Sequence, residues 1–83
     1  MVIKYFSWIK EHIGKSEEQL ELPRHINNVN ELINYLIERD EKYNLIFEKK
    51  EIIKIAVNKT YSSFDTRIRN SDEIAFFPPV TGG

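Results

Sequence analysis

The chain has 83 residues, 41% of them hydrophobic and 30% charged, with 12 Lys and Arg against 13 Asp and Glu for a net charge of −1. That is room for one globular domain with a compact core, because a chain this short buries only about 60–65% of the surface its unfolded form exposes. The charge balance lacks the footprint of non-specific nucleic-acid binding, the longest apolar runs are too short to cross a bilayer, and with no cysteine there is no disulfide, thiolate metal site or cysteine nucleophile.

Residues 2 to 7 read as a strand, rich in β-branched and aromatic side chains, with Ile3 and Tyr5 on one face and Val2, Lys4 and Phe6 on the other. No charged segment followed by a long apolar stretch opens the chain, so the expected compartment is the cytoplasm. From Trp8 the period changes. Ile9 and Ile13 lie four apart with Gly14 directly after them, the pattern of a short helix closed by a left-handed glycine. Leu20 and Leu22 alternate with Glu21, which places a second strand near residues 17 to 22, ended by Pro23.

Asn28 followed three residues later by Glu31 is a capping box, and Val29, Leu32, Ile33, Leu36 and Ile37 then share one helical face up to about Arg39. Asn30, Glu31, Asn34, Glu38 and Asp40 take the solvent side. Residues 43 to 47 give no clear period and read as a looser connection. Residues 52 to 57, 60 to 64 and 72 to 77 read as three further strands, the first two joined by an Asn58-Lys59 turn. The order is strand, helix, strand, main helix, then strands.

Catalytic chemistry is thinly supplied. His12 and His25 stand among ordinary solvent-facing residues without ligand spacing, the serines lie in no nucleophile motif, and the three glycines form no phosphate-binding loop. Asp65, Asp72 and Glu73 fit turns and a strand start, and no metal site is expected. The last strand carries Ile74 and Phe76 on one face, Ala75 and Phe77 on the other. Taking Ile74 and Phe76 as core leaves Phe77 on the outer face, joined there by Phe6 and, by the same alternation, Ile52 and Ala56. Scattered surface hydrophobes are normal, but several gathered on one sheet face make a patch, and patches meet partners.

The chain ends Phe77-Pro78-Pro79-Val80-Thr81-Gly82-Gly83. Two prolines fix φ and bar continuation as helix or interior strand, so residues 1–77 are expected to form the domain and residues 78–83 an extended tail. Fully extended, six residues span about 20 Å at roughly 3.3 Å each. Gly82 and Gly83 have no side chains, so they can thread a narrow channel and present a carbonyl carbon to a reactive group. A frayed, glycine-rich terminus is the bland alternative.

This order of elements with the terminal diglycine resembles the β-grasp fold of ubiquitin-like sulfur carriers. Within that group, the stretch from Val57 to Gly83 resembles the small-subunit family of molybdopterin synthase, through Asn58, Asp72-Glu73 and above all Phe77-Pro78-Pro79-Val80-Thr81-Gly82-Gly83. The stretch from Tyr5 to Gly14 also fits, although Asn70-Ser71-Asp72 stands where the family often has a glycine before the aspartate. The resemblance implies an α+β, ubiquitin-like β-grasp domain, a mixed sheet packed on one main helix with an additional short helix. It implies no cofactor bound by the fold. Instead Gly83 would be adenylated with ATP by an activating enzyme, the acyl-adenylate converted to a thiocarboxylate with sulfur from a sulfurtransferase, and the tail (Pro78, Pro79, Val80, Thr81 and Gly82) inserted into a large subunit that supplies the catalytic pocket, in a heterotetramer.

On the same resemblance Phe6, Tyr61 and Phe77 would form the surface that the large subunit covers, and the terminal sulfur would be donated to a pterin precursor, cyclic pyranopterin monophosphate. Neither nucleic acid nor membrane is an expected partner. A carrier for thiamine or another thiolation pathway, a protein modifier forming isopeptide bonds through Gly83, and a plain binding module remain alternatives; the Pro-Pro-Val-Thr context weighs against the first.

Overall fold

The computed structural model describes residues 1–79; Val80, Thr81, Gly82 and Gly83 lie outside the described residues. The first strand, β1 (Val2–Tyr5), is two residues shorter than expected, because Ser7 takes a left-handed φ of 56° and turns the chain into helix α1 (Ser7–Ile13). Gly14 closes α1 at φ 91°, its N–H donating to the Lys10 carbonyl at 2.8 Å. A Cβ at Gly14 would meet no atom within 4 Å, so the dihedral angle and not space demands glycine there.

Strand β2 (Glu17–Gln19) pairs antiparallel with β1 and stops three residues early. The Leu22 N–H leaves the ladder for the Asn70 side-chain oxygen at 2.8 Å, while Leu20 and Leu22 pack against the core edge. Helix α2 (Val29–Arg39) starts and ends where its pattern predicts. Asn28 Oδ1 accepts from the Glu31 N–H at 2.9 Å, but the reciprocal arm of the box slips by one: Glu31 Oε1 accepts from the Asn27 N–H, not that of Asn28. Val29, Leu32, Ile33 and Leu36 are fully buried, and Ile37 only partly.

The segment expected to be loose is a helix, α3 (Lys42–Phe47), which buries Tyr43, Ile46 and Phe47. Positions 43, 46 and 47 have helical spacing, too short a run to register as a period. A 3-10 turn (Lys50–Ile52) then takes the residues expected to open the next strand, so β3 is Lys54–Val57. Asn58 and Lys59, at φ 50° and 68°, make the tight hairpin turn to β4 (Thr60–Ser62). That strand is shorter than expected because the Ser63 N–H turns aside to Thr66 Oγ1 at 3.0 Å.

The last strand, β5 (Glu73–Phe77), inserts in the middle of the sheet, which has the order β2-β1-β5-β3-β4. It runs parallel to β1 and antiparallel to β3, making the sheet mixed. The helices cover one face. Ile3, Tyr5, Ile55, Ile74 and Phe76 from the sheet meet Ile9, Leu32, Ile33, Leu36 and Phe47 in one core, with Phe47 edge-on to Phe76 at 4.9 Å between ring centres. The opposite face of the sheet carries no covering element among the described residues.

Candidate functional surface beside the tail

Strand alternation decides what the bare face presents. With Ile74 and Phe76 fully buried, Ala75 and Phe77 must point outward, and both are half-buried. The register carries this across the sheet: Tyr61 on β4 lies opposite Ala56 on β3, Ala56 opposite Ala75 on β5, and Ala75 opposite Lys4 on β1. Two alanines therefore sit in the middle of a row whose ends are long side chains. The result is a hollow of about 460 Å³ floored by Ala56 and Ala75, with Phe6, Tyr61, Phe77, Lys4 and Pro78 among its walls.

Phe6 and Tyr61 are the most exposed of these, at 46% and 77%. The Tyr61 and Phe77 rings lean together, 5.7 Å between centres and 43° between planes. Phe6 is held next to β5 by its N–H, which donates to the Phe76 carbonyl at 3.2 Å. The structure thus brings Phe6, Tyr61 and Phe77 to one surface, Phe6 and Phe77 as the alternation predicts. Ala56 also faces this surface, although at 8% exposure it is floor and not rim. Ile52 corrects the sequence reading: it is exposed on the 3-10 turn ahead of β3 and lines no part of this hollow.

Pro78 lines this hollow, whereas Pro79 lines a second one against Ile53, Phe64 and the other flank of the Tyr61–Phe77 pair. The two prolines therefore start the tail over an aromatic ridge. The remaining tail positions singled out in the sequence, Val80, Thr81, Gly82 and Gly83, lie outside the described residues.

One polar arrangement fixes the hairpin end of this surface, and a second lies behind the sheet edge on the helix-covered side. Asn58 clamps the hairpin onto the start of β5. Its Oδ1 accepts from the Glu73 N–H at 2.9 Å, and its Nδ2 donates to Asp72 Oδ1 at 2.9 Å, while Asp72 Oδ2 accepts from the Arg69 N–H at 2.8 Å. Asn58, Asp72 and Glu73 are among the residues that carried the sequence resemblance, and here they fix where β5 begins. Behind the sheet edge, sequence reasoning missed Glu18. Its carboxylate accepts from the Tyr5 hydroxyl at 2.8 Å and the Tyr43 hydroxyl at 2.5 Å, with Lys15 and Arg39 each 3.7 Å away. Burial pushes toward a higher pKa, but the two hydroxyls and then the two cations outweigh it and hold the carboxyl below its ordinary value. Burial and the bond to Glu18 push Tyr43 up to about 12, and the same two causes raise Tyr5. His12 and His25 are both exposed and belong to neither arrangement.

A model of the ThiS family matches residues 3–83. The molybdopterin synthase sulfur carrier subunit of Haemophilus influenzae is 35% identical over 81 residues, covering 98% of this chain and 96% of that protein. Among solved structures, a putative molybdopterin converting factor subunit 1 from Pyrococcus furiosus superposes with a TM-score of 0.74 at 32% identity, over 95% of both chains. A Helicobacter pylori structure, a complex of subunits 1 and 2 of molybdopterin-converting factor, has a chain with the same fold at a TM-score of 0.62 and 23% identity, covering 99% of this chain and 96% of that one.

Proposed function

The chain belongs to the ThiS family, and from that premise we propose that it is the sulfur carrier subunit of molybdopterin synthase, with Gly83 as the group that carries the sulfur. The observation that carries this reading is the likeness to a sulfur carrier subunit at 35% identity, covering 98% of this chain and 96% of that protein.

A resting carboxylate is a poor acceptor for sulfur, since its leaving group would be oxide. Attack of the Gly83 carboxylate on the α-phosphorus of ATP, expelling pyrophosphate, converts that oxygen into part of an AMP leaving group. The terminal sulfur of a sulfurtransferase persulfide then forms the C–S bond as the C–O bond to AMP breaks, and a thiol cleaves the resulting acyl disulfide, releasing the thiocarboxylate and ending in a disulfide itself. The thiocarboxylate left at Gly83 is the nucleophile that attacks the pterin precursor, cyclic pyranopterin monophosphate. The domain itself performs none of these steps. Its part is to be held by the activating enzyme and then by the large subunit, through the face that bears Phe6, Tyr61 and Phe77, while the tail from Pro78 reaches each active site in turn. A heterotetramer of two small and two large subunits in the cytoplasm, where ATP is supplied, completes the reading.

Intact mass spectrometry tests it. After incubation with ATP, the cognate activating enzyme and a sulfur donor, the protein is expected to gain the mass difference of sulfur for oxygen at Gly83. A mass unchanged under those conditions excludes the carrier role, and conjugates to lysines of other proteins would identify a modifier instead.

A further inference from the structure

An asparagine converts itself when the backbone nitrogen that follows it reaches its side-chain carbonyl carbon, so each one is a candidate until its surroundings forbid it. Of the seven in the chain, Asn30, Asn34 and Asn44 stand in helices, where the hydrogen-bond ladder holds the backbone in one conformation. Val29, after Asn28, commits its N–H to the Thr66 carbonyl at 3.1 Å. Asn58 ties its Oδ1 to the Glu73 N–H and its Nδ2 to Asp72, each at 2.9 Å. Asn27 spends its Nδ2 on the His25 carbonyl at 3.4 Å and is followed by a side chain bulkier than serine.

Asn70 differs at each of these points. It and Ser71 are the central residues of a turn closed by the Asp72 N–H, which donates to the Arg69 carbonyl at 3.0 Å, and both are exposed. Ser71 is the smallest residue to follow any asparagine in the chain, and its N–H makes no hydrogen bond among the described residues. Asn70 Nδ2, the group that must leave, makes none among them either. Asn70 Oδ1 accepts from the Leu22 N–H at 2.8 Å, and the Met1 amino group is 3.4 Å from the same oxygen. Donors on that oxygen draw electrons from Cγ and stabilise the negative charge that develops there on attack.

We propose that Asn70 is a modification site at which the folded protein deamidates itself, with the Ser71 backbone nitrogen as nucleophile. That nitrogen gives up its proton and forms a bond to Asn70 Cγ; the Cγ–Nδ2 bond breaks, and ammonia leaves with the proton. Solvent water then opens the cyclic imide at either of its carbonyls. One product is aspartate at position 70, whose carboxylate still accepts from the Leu22 N–H. The other is isoaspartate, which routes the main chain through the side-chain carbon and lengthens it by one methylene directly ahead of Asp72. Asp72 holds the Arg69 N–H and Asn58 Nδ2 with its carboxylate and the Val2 N–H with its carbonyl at 3.3 Å, so this second product loosens the start of β5. The conversion acts as a chemical clock on the central strand, whatever the domain carries on its tail.

Ageing the purified full-length chain at neutral pH tests this, with peptide mapping by mass spectrometry and, as a clock, a free peptide of residues 67–74 incubated beside it until the peptide has converted. The protein is expected to gain the mass difference of OH for NH2 at Asn70 before any other asparagine, as a mixture of aspartate and isoaspartate that chromatography separates. Conversion is expected to be lost in Asn70→Gln, whose longer side chain misplaces the carbonyl carbon, and slowed in Ser71→Val, whose branched Cβ crowds the attacking nitrogen. The isoaspartate form is expected to melt below the Asn70→Asp variant, which reproduces the other product. An Asn70 unchanged in the protein when the peptide has converted overturns the proposal, and so does another asparagine converting first. A folded Ser71→Val that converts at the parent's rate overturns it as well, since the Ser71 nitrogen would then not be the nucleophile. The parent's own map decides the matter if neither variant folds.

Discussion

Glu18 shows how one residue can set the acid and alkaline limits of this domain. Its folded pKa lies below the ordinary value of 4.5, so its contribution to stability is complete above that value and is lost as pH falls through the depressed folded one. Tyr43 works in the opposite sense. Its folded pKa is raised from 10.0 to about 12, so its contribution is complete below pH 10 and is lost as pH rises toward 12. Denaturant midpoints measured across pH should show a plateau between these limits, and Glu18→Gln should flatten the acid limb. Tyr43→Phe leaves a nearly buried carboxylate one donor short and is expected to cost about 1.5–3 kcal/mol, read from urea unfolding at neutral pH. None of this was legible in the sequence. Glu17 and Glu18 look alike there, and the tyrosines that separate them lie 13 and 25 residues from Glu18. Phe77 was legible, because strand alternation with Phe76 leaves only one of the two for the core. Phe77→Asp should therefore keep the parent's melting temperature and weaken binding to the large subunit, both measured on the same preparation.

Elements divide by whether their signals are local. Helix α2 carries its own start signal, and Asn28→Ala should cost about 1 kcal/mol in a thermal or urea melt, since the Glu31 N–H loses its acceptor. The Asn58-Lys59 hairpin was legible for the same reason, and its second residue is strained. Lys59→Gly should stabilise the fold by about 0.5–1 kcal/mol by relieving a positive φ that a side chain disfavours. Helix α3 escaped notice because six residues make too short a period; Tyr43, Ile46 and Phe47 become helical through the core they enter. The ends of β1, β2 and β3 were overrun for a related reason. Apolar residues flank each strand, but the ladder is stopped by the distant Asn70 side chain at β2, the left-handed backbone of Ser7 at β1 and the 3-10 turn ahead of β3.

At the scale of the whole molecule, folding and transfer are separable. Every residue of the described core precedes Phe77, so deleting Gly83, or adding one residue after it, should leave the melting curve close to the parent's. Sulfur delivery to the large subunit, followed by product formation, should be abolished in both. Deletion draws the reacting carbon back by roughly 3.3 Å, and a misplacement of 1 Å can cost on the order of 100-fold in rate. Addition pushes it forward and brings a side chain into the path. Delivery by both variants would remove Gly83 from the reaction. The role given to the tail comes from the backbone of its two prolines and two glycines, and it belongs to the proposed function. The hollow on the bare sheet face was not legible in the sequence, since it depends on a register that sets Ala56 beside Ala75.

The central position of β5 has a consequence for the birth of the molecule. The strand made last is the one on which both halves of the sheet close, β1 on one side and β3 on the other. A nascent chain cannot complete this sheet until β5 has left the ribosome, so the sheet closes only after every other described strand has been made. Chains cut short before β5 have no partner for β1 and β3 and remain substrates for proteolysis. A prematurely terminated product is thus expected to be degraded and not to persist as a folded domain without its tail, which pulse-chase of a chain truncated before Glu73 would check.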